Sequence, residues 1–221
     1  MRVYPVPIKK NRFKFNFSLT SWLIIANVLF FIIITPLLSR NILLLDAIAI
    51  NPFNILHGYG FWTPISSMFM HGGIFHLLVN MLSLFFIGSL IEKLLGRKRY
   101  FWFYLIAGIF AGLFFVLSAF VFPNEMSSFA VGASGALFGL IGLLIVLTPN
   151  LRVYMLFIPI PIKMKYAAPG LLVILWLISV AGNVALGNFA HLGGLLIGLA
   201  YGFFLRKRYP KKTKYISSHF S

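Results

Sequence analysis

Ser134, His191, His76 and Asn80 are the polar side chains whose types and spacing could do chemistry in this oily chain. Ser134 sits between glycines in "GASGALFG", residues 132–139, at the mouth of an apolar run. A serine hydroxyl is a weak nucleophile until a base removes its proton. A histidine titrating near neutrality is the usual base, and His191 opens another apolar run. Attack on an amide also needs donors where negative charge develops. The Ser134 backbone N–H at a helix N-terminus is one candidate. His76 and Asn80 are four apart, so they share a helical face and could supply the others. Phe138, one turn beyond Ser134, could stack on the imidazole.

Each residue has a plainer reading. Ser134 could be only a helix N-cap. His191 could be a helix-packing donor, and Asn80 could only glue helices together. His71, His76 and His191 could bind a metal, but no thiolate or carboxylate joins them and no HExxH is present. His57 and His219 suggest no role, and neither does Asn183. Trp176 reads as a lipid-facing or packing residue.

The elements that must position these groups follow from composition. Of 221 residues, 60% are hydrophobic and only 10% charged, against about 25% charged in soluble domains. There is no cysteine, hence no thiol nucleophile and no disulfide framework. Six apolar stretches read as membrane spans: 20–39, 74–95, 100–122, 134–147, 168–186 and 189–205. The fourth and sixth are short, so they should be steep or surrounded by protein. The first is too long for a signal-peptide core and no A-x-A site follows. The fold class expected is an all-α membrane protein, a six-helix bundle with no second domain and no internal repeat.

Charge orients the bundle. Three acids, Asp46, Glu92 and Glu125, face nineteen Lys and Arg. All the cations but Arg40 fall before span one, between spans two and three, between four and five, or after span six. The positive-inside rule then places both termini in the cytoplasm. The net charge of +16 reads as topology and contact with anionic lipid headgroups rather than nucleic-acid binding. Residues 1–19 form a basic cytoplasmic N-terminus and 206–221 a basic tail expected to be disordered. The long connection 40–73, rich in aromatics, Pro and Gly, should lie in the outer membrane interface.

Topology alone brings the four polar residues to a similar depth, each within a turn or two of the outer end of its helix. Gly194, Gly198 and Gly202 form a stripe on span six, and Gly135, Gly139 and Gly142 line span four. Small residues let helices approach closely in lipid, so spans four and six should touch and bring Ser134 to His191. With no acid near His191 in sequence, a dyad rather than a triad is expected.

This constellation resembles the rhomboid family of intramembrane serine proteases over about residues 20–205. The likeness rests on "HGGIFHLLVNM" (His71, His76, Asn80), "GASG" (Gly132 to Gly135) and "AHLGGLLIGLAYG" (Ala190 to Gly202). The resemblance implies a six-helix core with Ser134 as nucleophile, His191 as general base, and His76 and Asn80 as oxyanion donors. It implies a structural or water-binding role for His71. It also implies transmembrane proteins as substrates, entering laterally between spans two and five, and no cofactor or metal. Many relatives have Tyr where this chain has Phe138, and a Trp–Arg pair in the outer loop where it has Trp62–Thr63. "GASGA" is not the α/β-hydrolase elbow, because position 136 is Ala and no strand precedes it. Two other classes compete. A catalytically silent binder of transmembrane helices would normally lose the nucleophile or base, and a small transporter would show acidic coupling residues and repeat symmetry. Short tails and the lack of a transit-like leader point to a prokaryotic plasma membrane. Substrate, cleavage-site preference and oligomeric state are not legible.

Overall fold

The computed structural model describes residues 17–38, 40–41, 43–155, 158–182 and 186–220. The five cations of the N-terminal segment and Asn183 lie outside them. Five helices are long and apolar enough to cross a membrane: Leu19–Leu38, Ile74–Leu95, Arg97–Ser118, Met164–Gly182 and Asn188–Arg208. A sixth apolar helix, Ser134–Leu147, has 14 residues. These match the six expected spans.

In chain order, α1 is Leu19–Leu38. The described part of the connection after it folds into three short α-helices, α2 Leu43–Ile48, α3 Pro52–Leu56 and α4 Thr63–Ser66, and a 3-10 turn, Ser67–Phe69. The second span is α5 Ile74–Ser83, a π-helical turn Leu84–Gly88 and α6 Ser89–Leu95. Then come α7 Arg97–Ser118 and α8 Ser134–Leu147. An antiparallel hairpin of β1 Arg152–Met155 and β2 Ile158–Lys163 leads into α9 Met164–Gly182. The chain continues as α10 Asn188–Arg208 and α11 Pro210–His219.

The short helix α8 is the axis of the bundle. Twelve of its residues are buried, from Gly135 to Leu147, as expected for a span enclosed by protein. At about 1.5 Å per residue it is roughly 21 Å long, less than a hydrocarbon core of about 30 Å. The sixth span departs from expectation: α10 has 21 residues, because helical backbone continues through the basic run Arg206–Arg208. The outer helices α1 and α9 turn Trp22, Ile32, Ile33, Leu177 and Val180 outward, as lipid-facing helices do. The chain is an integral, multi-pass membrane protein.

Two regions correct or extend the sequence reading. The tail expected to be disordered forms α11. Pro210 fits its first turn, where no intrahelical N–H is needed. Thr213 is buried and its hydroxyl donates to the Tyr209 and Pro210 carbonyls. The connection 40–73 is folded, yet it exposes Tyr59, Phe61 and Trp62, the residue types that settle at membrane interfaces. Trp62 is held without an arginine neighbour: its indole N–H donates to the Ala47 carbonyl at 2.7 Å. Thr63 is buried instead, its hydroxyl donating to the Gly60 carbonyl at 2.7 Å.

Glu92, the one acid within a span, caps another helix. Its carboxylate accepts from the backbone N–H groups of Leu19 and Thr20, each at 2.8 Å, and from the Thr20 hydroxyl at 2.7 Å. Those N–H groups open α1 and have no intrahelical partner. Glu92→Ala is expected to cost about 1–2 kcal/mol, read as a lower melting temperature in detergent, with Glu92→Gln recovering part of the loss.

Candidate active site

Helices α8 and α10 run side by side in the same direction because glycine faces glycine along their contact. A β-carbon on Gly194 would sit 2.1 Å from the Gly135 carbonyl oxygen, and one on Gly198 2.1 Å from that of Gly139. A β-carbon on Gly142 would meet the Leu195 carbonyl oxygen at 2.4 Å. The backbones therefore touch, and the first turns of the two helices lie level.

That contact joins Ser134 to His191. Nε2 of the imidazole lies 2.8 Å from Ser134 Oγ. Ser134 is not the N-cap of α8: Ala133 takes that position, and no side chain bonds the cap. The hydroxyl is thus committed to the imidazole rather than to its own helix. His191 is 6% exposed, and the Phe138 ring stacks on it at 4.6 Å between centroids and 24° between planes. Nδ1 of His191 is buried with no hydrogen-bond partner among the described residues. Among the described residues no carboxylate orients this ring; the Phe138 face does.

His76 comes in from α5 on the opposite side. Its Nδ1 lies 3.3 Å from the Gly72 backbone nitrogen, whose N–H donates to it. That bond makes Nδ1 the acceptor and leaves the ring proton on Nε2. Gly132 separates His76 from Ser134. Its φ is +119°, a backbone region side chains rarely adopt. A β-carbon there would lie 2.9 Å from His76 Nε2 and 3.6 Å from Ser134 Oγ. The empty space left by Gly132 is therefore flanked by the imidazole N–H and the hydroxyl. Its own N–H donates to the Ser67 carbonyl at 2.8 Å, and Ala130 and Ile50 exchange backbone bonds of 2.9 and 3.0 Å. These ties fix the segment before Ser134 to the folded outer connection.

Asn80 is 4% exposed, and its amide donates to the His76 carbonyl at 2.8 Å. The amide nitrogen carries a second N–H beyond that bond. His71 is buried, its ring 5.1 Å from that of His76. Burial, with His76 beside it, pushes its pKa down to about 4, so it stays neutral near pH 7. All four predicted site residues, Ser134, His191, His76 and Asn80, line one cavity of about 490 Å³. It reaches Leu171 and Leu175 on α9. Gly132 is the participant that the sequence left without a role. A glycine two residues before a helix-opening serine was the available signal.

A family model described as the Rhomboid domain matches residues 59–208. The chain belongs to the rhomboid family. This rhomboid is 36% identical over 176 residues to RHOMBOID-like protein 1 of Arabidopsis thaliana, covering 76% of its own length and 41% of the relative's. It is 40% identical over 161 residues to RHOMBOID-like protein 2 of the same plant, covering 70% and 45%. It is 31% identical over 138 residues to a relative named Inactive RHOMBOID-like protein 8, also from Arabidopsis thaliana, covering 61% and 35%. The chain thus spans less than half the length of these curated relatives. They are plant proteins and lend no support to the expectation of a prokaryotic plasma membrane.

Proposed function

We propose that this rhomboid is an intramembrane serine endopeptidase that cleaves transmembrane segments with the Ser134–His191 dyad. The observation that carries this reading is the 2.8 Å approach of His191 Nε2 to Ser134 Oγ inside a cavity shared with two further donors. Ser134 Oγ attacks the scissile carbonyl carbon while its proton passes to His191 Nε2. The developing oxyanion accepts from His76 Nε2–H, the Asn80 amide and the Ser134 backbone N–H. Collapse of this intermediate breaks the C–N bond, and His191 gives its proton to the departing amine. A water molecule then attacks the acyl–Ser134 ester, with His191 again taking and returning the proton.

The site opens at the helix ends opposite the basic connections, which charge asymmetry assigns to the extracytoplasmic side. A helix as short as α8, starting from the level of the basic connections, would leave Ser134 below that surface. A substrate helix would approach from the lipid between the second span and α9, and must unwind to present a carbonyl. Small or helix-breaking residues near the scissile bond ease this step. The reading that competes is a silent binder of transmembrane helices; one relative is named inactive. The intact hydroxyl–imidazole pair favours the enzyme. Reconstituted protein should cleave a single-span substrate and label with a fluorophosphonate at Ser134. Labelling that persists in Ser134→Ala, or binding of the substrate helix without any cleavage by the unaltered chain, would reject the endopeptidase.

Phe138 acts through His191. Stacked aromatic pairs contribute about 0.5–1.5 kcal/mol. Phe138→Leu is therefore expected to lower kcat up to about tenfold, with KM little changed. Phe138→Tyr, which keeps the ring, should retain activity.

A further inference from the structure

We propose that the notch between the β1–β2 hairpin and the end of α11 holds the phosphate of an anionic membrane lipid. The notch has a volume of about 290 Å³ and is lined by Asn150, Arg152, Lys163 and Phe220. It lies at the far end of α8 from Ser134, roughly 21 Å along that helix, and belongs to a different surface from the candidate active site.

Arg152 and Lys163 stand directly opposite each other in the hairpin register. Like charges at such positions destabilise a ribbon, and an isolated two-stranded hairpin is marginal to begin with. Their neighbours Val153 and Ile162, also paired, are partly buried, whereas both cations are exposed. The ribbon therefore turns its apolar pair toward the protein and its cations outward. Among the described residues neither cation has a carboxylate partner. Thirteen Lys and Arg lie between Lys93 and Lys214, at the ends of the spans and in the segments joining them. The one acid at that end is Glu92, already committed to the start of α1. Asp46 and Glu125 fall in connections at the opposite end. Among the described residues no anion compensates the pair, and the notch is open to one from outside the chain.

The surroundings select a lipid over a free anion. Tyr154, Ile160 and Tyr166 are all more than 60% exposed on and beside the hairpin, and the Lys165 ammonium lies 5.1 Å from the Tyr166 ring. Exposed aromatics and aliphatics flanking cations suit the headgroup region. Arg152 can grip phosphate oxygens through its planar fork, with Lys163 a point charge beside it. The hairpin follows the last turn of α8 and runs directly into α9, so its level is that of the headgroups bordering both spans.

Full-length protein is placed in phosphatidylcholine nanodiscs doped with phosphatidylglycerol, and lipid retained after release is counted by native mass spectrometry. The unaltered chain should retain phosphatidylglycerol in preference. R152Q/K163Q should weaken that retention by at least about 30-fold, the loss expected when two direct charge-assisted contacts to a phosphate are removed. Exchanging the pair, R152K/K163R, keeps the charge and should keep the lipid, which separates loss of the site from loss of the fold. K98Q/K207Q removes equal charge elsewhere on the same end and should leave retention unchanged. Equal losses in the two neutralised variants would overturn the proposal in favour of a diffuse field. Release of the lipid by millimolar inorganic phosphate would overturn it in favour of a soluble anion.

Discussion

Ser134→Ala is expected to lower kcat for a single-span substrate by at least about 10⁴-fold, and His191→Ala by a similar factor. The double variant should be no worse than either single one. Nucleophile and base act as a unit, so removing one strands the other, and such losses are not additive. The 2.8 Å contact and the absence of a described partner on His191 Nδ1 make this unit a pair. The residual rate should reflect the oxyanion donors alone, so His76→Ala placed on a Ser134→Ala background should lower it further. Single-turnover cleavage in proteoliposomes measures all of these. Losses that multiply between Ser134 and His191 would mean that the two side chains serve separate steps.

Gly194→Ala carries the second large effect, although this residue touches no reacting atom. One added methyl group would have to occupy a point 2.1 Å from the Gly135 carbonyl oxygen. That oxygen belongs to helix backbone, which cannot rotate aside as a side chain would. The helices must therefore part. Misplacing reacting groups by about 1 Å can cost about 100-fold in rate, and overpacking costs about 1–3 kcal/mol. Gly194→Ala should show both, as a fall in kcat and a lower melting temperature. Gly170 supplies the contrast. It lies within α9, and a β-carbon there meets nothing within 4 Å. Gly170→Ala should leave activity intact and add up to about 1 kcal/mol of stability. If Gly194→Ala kept full activity, the close approach of α8 and α10 would not be what sets the dyad.

How the glycines are used shows how far the sequence reaches. Their spacing marked the faces of spans four and six that could meet, but not which carbonyl each would touch. Gly132 escaped a role because its importance lies in a positive φ and in an imidazole contributed by residue 76. Glu92 was visible as an acid in an apolar run, but its partners, Leu19 and Thr20, are over seventy residues away. The tail departs from expectation for a related reason. Its charge favours solvent when considered alone, and only docking of the Thr213 face makes a helix of it.

What the sequence determined by itself was the number of spans, their order, and the common depth of Ser134, His191, His76 and Asn80. Those follow from local rules, because hydrocarbon thickness fixes span length and each connection reverses direction. Only the tertiary structure decided that Ser134 bonds His191 rather than capping its own helix, and that Phe138 lies flat on the imidazole. Such pairings depend on how helices approach and rotate against one another. That is set by backbone contacts between segments distant in sequence, which no local pattern encodes.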